Sequence, residues 1–186
     1  MSRYTGPRLR IVRRFGQQLP GLTRKGDSAR QSPPGQHGQK RPRPSDYRLR
    51  LVEKQKLRFN YGLTERQLRN YFSAAAQRKG DTGKTLRSVL ESRLDNVVFR
   101  IGFAPTIPAA RQLVRHGHMM VNGHRVDIPS YICRAGDVIA PRAGSREHAL
   151  IVETLENPTL SLPDYLDFDG EKRTATFKRV PERGDV

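Results

Sequence analysis

The sequence predicts an α+β fold, with an extended basic N-terminal arm, a small all-helical domain, and a helix-plus-loop module carrying a small, mostly antiparallel sheet. Three observations lead there. From Ser45 to Arg100 the apolar residues recur at helical spacing, with a capping box at Thr64-Glu65-Arg66-Gln67. From Met119 to Ala140 short segments alternate around Asn122-Gly123, the strongest two-residue hairpin signal, and around Ala135-Gly136-Asp137. Before Ser45 there is little apolar periodicity and frequent Pro and Gly. The corresponding boundaries are 1–44 for the arm, 45–92 for the helical domain, 93–155 for the module and 156–186 for a tail whose packing the pattern leaves open.

The arm is punctuated by Pro7, Pro20-Gly21, Pro33-Pro34-Gly35 and Gly38, so it cannot bury a core of its own. A disordered solubilising tail would satisfy that composition. Arg8, Arg10, Arg13 and Arg14 favour an arm that orders against a phosphate backbone. In the first helix after Ser45, Arg50, Lys54 and Arg58 fall at i, i+4 and i+8 and make a basic ridge, with Glu53 as the interleaved acid. Gly62 breaks the pattern. Thr64 then opens a second helix, stapled by Leu63 and Leu68, that runs to about Gly80. A third helix, from about Gly83 to Arg100, places Leu86, Val89, Leu90, Leu94 and Val97 on one face.

Thr106 caps a short helix with Pro108 at its second position and Gly117 as its stop. Arg111 and Arg115 are i and i+4 on it, as are Gln112 and His116, while Leu113 and Val114 turn toward a core. One face is thus suited to phosphates. Strands are expected at 119–121, 124–126, 131–133 and 138–140, with Leu150-Ile151-Val152 as a last strand and no clear pattern from 158 to 186.

Charge points to the partner. The 186 residues hold 35 Lys and Arg against 18 Asp and Glu, a net +17, and such a charge opposes compaction unless a polyanion offsets it. Residues 1–58 carry +13, residues 59–142 carry +7 and residues 143–186 carry −3, so the basic surface is N-terminal and central. Nucleic acid fits that distribution. A membrane surface does not, because there is no apolar anchor, lipidation motif, secretory leader or long apolar run.

Signals for catalysis are lacking. Cys133 is the one cysteine, consistent with a reduced compartment and a small buried strand residue. His116, His118 and His124 invite a metal reading, but no thiolates or clustered carboxylates complete a site. Asp95 reads as a partner for Arg93 or a turn cap rather than a base, and no nucleotide-binding glycine motif occurs. The expectation is a binding protein, with no metal and no cofactor.

The blocks Arg93-Leu94-Asp95-Asn96, Pro105 to His118, Val121-Asn122-Gly123 and Val126 to Tyr131 closely resemble the RNA-binding domain of the small-subunit ribosomal protein S four family. Tyr4 to Arg14, Leu19 to Lys25, Pro33 to Gly38 and Glu53 to Glu65 are similar to that family's arm and helical domain, most nearly in cyanobacterial and plastid forms. The resemblance implies a structural, non-enzymatic component of the small ribosomal subunit. It implies direct binding to small-subunit ribosomal RNA at a multi-helix junction in the 5′ domain, nucleation of assembly, and a part in translational accuracy. It also implies neighbours in ribosomal proteins S five and S three, proximity to messenger RNA where it enters the particle, and a ribosome of bacterial cytoplasm or plastid stroma. The same module attached to a modifying enzyme is the rival reading, but no catalytic domain accompanies it here.

On this resemblance the arm contacts RNA through Arg3, Tyr4, Arg8, Arg10, Arg13, Arg14, Lys25 and His37. The helices contribute Arg50, Lys54, Lys56, Arg58, Tyr61, Arg66 and Arg69. The module contributes Arg93, Arg111, Gln112, Arg115, His116, Asn122 and Arg125, with Tyr4, Tyr61 and His37 as stacking candidates. Two departures from the family stand out: the arm lacks the cysteine cluster that binds zinc in some relatives, and no apolar helix follows Pro181 to complete the helical domain.

Overall fold

The computed structural model describes residues 4–25, 30, 32–39, 45–182 and 184. Helix α1 (Arg8–Phe15) lies in the arm, followed by α2 (Asp46–Asn60), α3 (Glu65–Ala76), α4 (Thr82–Glu91), α5 (Leu94–Ile101) and α6 (Ile107–Arg115). Strands β1 (Met119–Val121), β2 (His124–Arg125) and β3 (Val138–Pro141) come next, then α7 (Ala149–Glu156), β4 (Leu166–Asp169) and β5 (Thr174–Phe177). The strands form one antiparallel sheet in the order β2-β1-β3-β5-β4. Mixed helix and antiparallel sheet is the expected α+β class.

Local signals act where the sequence places them. Ser45 accepts from the Arg48 N–H at the start of α2, and Thr64 and Gln67 form a reciprocal capping box at the start of α3. Leu63 and Leu68, the staple pair, are both buried.

Five segments differ from expectation. The arm is not simply extended, because Ile11, Leu19 and Leu22 join Phe15 of α1 and Phe59 of α2 in a small apolar cluster. Neither segment carries enough of that cluster to show a stripe alone. Gly21 completes the join: its N–H donates to Asn60 Oδ1 at 3.0 Å, and its carbonyl accepts from Ile107 N at 2.9 Å. A Cβ there would fall 2.4 Å from the Asn60 carbonyl oxygen, so the contact requires glycine.

The helix expected from 83 to 100 is two helices, broken at Ser92-Arg93. At the break Arg93 is extended (φ −68°, ψ 138°) and bridges Ile132, Cys133 N donates to Ser92 O, and Leu94 N donates to Tyr131 O. Residues 131–133 therefore dock on the break instead of forming a strand of the sheet. Leu150-Ile151-Val152 lies in α7, capped by His148, and not in a strand. The unpatterned tail supplies β4 and β5, joined by an Asx turn in which Asp169 accepts from Glu171 N and Lys172 N.

The main core gathers Val97, Val98, Phe103, Val114, Ile139 and Phe177 from α5, α6 and the sheet. Against it sit two buried ionic groups. Glu91, wholly buried, accepts from Tyr61, Tyr165, Asn96 and Arg100, so the ends of α2 and α4, helix α5 and the approach to β4 meet at one carboxylate. Burial opposes its ionisation, but Arg100 and the two tyrosine hydroxyls overcome that and hold its pKa below the ordinary value. Burial and Glu91 push both tyrosine hydroxyls upward.

The second group is Asp95. Arg93 reaches it through Nε at 3.0 Å and Nη2 at 2.8 Å, and Arg111 through Nε at 2.7 Å. Arg111 also donates to the carbonyls of Tyr61 (2.9 Å) and Gly62, locking α6 to the end of α2. Burial works against the Arg93 charge, but Asp95 outweighs it and raises the Arg93 pKa. Among the described residues no buried side-chain nitrogen or oxygen lacks a hydrogen-bond partner.

Glu91→Gln strands the half-buried Arg100 guanidinium and should cost about 3–5 kcal/mol in urea unfolding followed by circular dichroism. Because the folded pKa of Glu91 is depressed, its contribution is present above the unfolded carboxylate value and disappears as pH falls through the folded one; the variant should lose that acid dependence. Arg111→Ala should cost about 1.5–3 kcal/mol through its lost charged hydrogen bonds. The exposed neighbour Arg115→Ala should stay within about 0.5 kcal/mol of wild type.

Candidate nucleic-acid interface

Helix α6 and the β1–β2 hairpin form the centre of the candidate interface. Thr106 caps α6 by accepting from Ala109 N, and Pro108 sits in its first turn. At the other end Gly117 N donates to Val114 O at 2.9 Å and His118 N to Leu113 O at 3.0 Å, with Gly117 at φ +74°. A Cβ on Gly117 would lie 2.3 Å from Arg125 Nε, so glycine both ends the helix and lets the guanidinium from β2 rest against it. Arg125 thereby meets the carboxyl end of α6, where the helix dipole favours a cation. Gln112, Arg115 and His116 are exposed on α6, and Leu113 and Val114 are buried beneath. The hairpin turns as expected, with Asn122 at φ 51° and Gly123 at φ 79°.

Further exposed cations lie on α1, α2 and α3. Arg10 and Arg14 on α1, with Arg50 on α2 and Arg66 on α3, make no side-chain hydrogen bond or ion pair among the described residues. Beside α1 an open cleft of about 910 Å³ is lined by Arg10, Arg13 and Arg30 and by the 32–39 loop. Arg8 donates to Leu22 O at 3.3 Å and Arg13 to Ser32 O at 3.0 Å, so these two also hold the arm together. Lys25, His37 and Arg69 are exposed, and Tyr4 stands edge-on to Phe59 with 5.6 Å between ring centroids. Arg3 lies outside the described residues.

On α2 the ridge is partly neutralised. Glu65, from the first turn of α3, faces Lys54 at 2.5 Å and Arg58 at 3.9 Å, while Lys56 meets Glu53 at 2.7 Å. Arg58 also lies 4.1 Å above the Phe59 ring. Sequence spacing could not reveal Glu65 as a partner because it belongs to the next helix.

Four of the expected RNA contacts spend their polar groups on bonds within the protein. Arg93 is 2% exposed and spends its guanidinium on Asp95 and Tyr71. Arg111 is held by Asp95 and two backbone carbonyls. Tyr61, 4% exposed, donates to Glu91 and offers no ring face for stacking. Asn122 uses its amide to build the turn, donating to Asp137 Oδ1 and accepting from Val138 N, each at 2.8 Å. A carboxylate two residues beyond Arg93 is the one sequence signal for an internal pair; the roles of Arg111 and Tyr61 depend on tertiary contacts.

One cluster went unread in the sequence. His118 lies between His116 (6.1 Å between ring centroids) and His148 (5.1 Å), and its Nδ1 is 2.9 Å from Ser145 Oγ. Burial, then His148, His116 and Arg142, lower the His118 pKa. His148 had been hidden by the apolar run that follows it, whose helix it caps. Among the described residues no group of three or more His, Cys, Asp or Glu is arranged to hold a metal ion. Cys133 is buried, and burial, with Asp137 and Asp95, pushes its thiol up to about 12, so it is no nucleophile at neutral pH. No described helix is long and apolar enough to cross a membrane.

Comparison with known proteins matches this arrangement of parts. Residues 3–91 fit the model described as "Ribosomal protein S4/S9 N-terminal domain", and residues 92–139 fit the "S4 domain". The two models meet at the Ser92-Arg93 break. Over 187 residues the chain is 55% identical to the small ribosomal subunit protein uS4 of a Synechococcus species, covering 100% of this chain and 92% of that protein. It is 59% identical over 185 residues to the protein of that name from Synechococcus elongatus (98% and 90% covered) and 53% identical over 188 residues to that of Methylobacillus flagellatus (100% and 92%). The resemblance read from the sequence blocks is therefore borne out, and the chain belongs to the small ribosomal subunit protein uS4 family, whose members are structural rather than catalytic.

Proposed function

We propose that this chain anchors the 5′ domain of small-subunit ribosomal RNA by clamping a multi-helix junction, and that it does so early enough to nucleate assembly. Family membership carries the coarser part: the chain is a structural component of the small ribosomal subunit that binds ribosomal RNA. The observation supporting the finer part is that exposed cations on separate parts of the chain are joined by directional bonds. Gln112, Arg115, His116 and Arg125 belong to the module, and Arg10, Arg14, Arg50 and Arg66 to the arm and helices, with the Arg111 and Gly21 contacts joining these parts. A junction presents several phosphate backbones at set angles, and a rigid body with two cationic faces reads that shape without reading bases.

In this reading Arg93, Arg111, Tyr61 and Asn122 act by positioning, and the exposed arginines make the contacts. Lys54, Lys56 and Arg58 exchange their carboxylate partners for phosphate as RNA arrives. Arg8, Arg13, Lys25, His37 and Tyr4 guide the arm between RNA helices. The C-terminal part, net −3 over residues 143–186, is the surface for protein neighbours, S five and S three. That placement puts the chain beside messenger RNA as it enters the particle, where it contributes to accuracy, on a ribosome of bacterial cytoplasm or plastid stroma.

The test is binding to a transcript of the 5′ domain junction, titrated with salt, beside an unrelated RNA of equal length. Junction binding should survive salt that abolishes the unrelated complex. Arg115→Ala and Arg50→Ala should each weaken binding and reduce the salt slope by about 1. Equal binding to both RNAs at every salt concentration refutes junction recognition.

A further inference from the structure

The histidine cluster lies between the end of α6, the start of β1 and the start of α7. Between α6 and α7 a pocket of about 100 Å³ is lined by His116, His118 and His148, with Gln112 at the same site and Ala109 and Leu113 among its aliphatic walls. This is far smaller than the roughly 300 Å³ at which drug-sized ligand sites begin, and has room for one small group beside the imidazoles. The charged and titratable groups facing His118 are His116 from α6, His148 from α7 and Arg142 from the segment after β3. The nearby acid, Glu147, is exposed and directed to Arg173 at 3.5 Å.

The two inner imidazoles have different hydrogen-bond roles. His148 Nδ1 accepts from Leu150 N at 3.2 Å, which leaves Nε2 as its donor nitrogen. His118 Nδ1 faces Ser145 Oγ, a hydroxyl that accepts as readily as it donates. His118 can therefore become an imidazolium with one N–H on Ser145 and the other left for an anion.

We propose that this pocket binds one backbone phosphate of RNA and that binding is coupled to protonation of His118. The inference rests on the reading that the module faces RNA, and adds a site and a proton linkage to it. In the free protein, burial and the neighbouring His148, His116 and Arg142 keep His118 neutral near pH 7; a bound phosphodiester adds a negative charge and reverses that balance. The sign follows. Affinity rises as pH falls through the bound-state pKa of His118 and levels off below the free-state pKa, with a limit of about tenfold per pH unit for one proton.

The experiment measures histidine Cε1–H titrations of the full chain by NMR, alone and with a uridine hexanucleotide or inorganic phosphate at equal phosphate concentration. A raised His118 pKa with the hexanucleotide, exceeding that with inorganic phosphate, is expected. An unchanged pKa overturns the proposal, and an equal rise with inorganic phosphate reassigns the pocket to free anions and overturns its RNA form. Calorimetry of junction binding in buffers of differing ionisation enthalpy should then give an uptake close to one proton for wild type and close to none for His118→Asn, which retains a polar partner for Ser145. Specific junction binding with equal uptake in both proteins refutes this proposal alone; non-specific binding refutes the junction reading, while the hexanucleotide titration still decides the pocket. If His118→Asn fails to fold, the wild-type titration decides.

Discussion

The geometry of the molecule depends on one buried carboxylate, Asp95, shared by two guanidinium groups. Taking three charges from water is costly, and the cost is recovered only when each is closely hydrogen-bonded. Here Arg93 approaches through two nitrogens, Arg111 through a third, and Arg111 extends to the carbonyls that end α2. The first arginine fixes the break between α4 and α5, and the second fixes α6 against α2. Gly21 repeats the logic from the other side, with its two backbone groups divided between Asn60 and Ile107. The arm, the helical part and the module thus meet in one small region whose bonds are directional.

This division of labour among arginines explains how a chain of net +17 folds at all. Repulsion is lowered by placing some cations inside on carboxylates, Arg93 and Arg111 on Asp95 and Arg100 on Glu91, and by turning Glu65 onto the α2 ridge. The cations left outside are distributed over the arm, the helices and the module. Charge density alone would attract any polyanion, with an affinity that collapses as salt rises.

Much of this was legible because local signals are strong. Thr64-Gln67, Thr106-Pro108, Gly117 and Asn122-Gly123 each encode their structure within a few residues, and each forms as read. What the sequence hid depends on distant partners. The break at Arg93 occurs because residues 129–133 dock there; nothing in the helical periodicity of 83–100 records it. Cluster residues Ile11 and Phe59 are 48 positions apart, too far for any periodic signal. Leu150-Ile151-Val152 reads as a short apolar run, which periodicity alone cannot assign to strand or helix, and the cap at His148 is what marks it as helical. The alternation in Thr174–Phe177 and the Asp169-Gly170 turn were available as a hairpin signal. For the site, exposure decided which arginines stay free, and exposure is a property of the fold.

An apolar joint in place of the Asp95 and Glu91 networks would be at least as stable, since well-packed hydrophobic substitutes for buried ion pairs are often neutral or stabilising. What apolar contact lacks is direction. It tolerates sliding and small rotations, whereas a guanidinium bonded at once to a carboxylate and two carbonyls has essentially one pose. For a protein that binds ribosomal RNA, the orientation between its parts decides which phosphates it can meet together. Under the proposed junction reading the internal charges therefore serve recognition indirectly, by fixing where the outer arginines stand relative to one another.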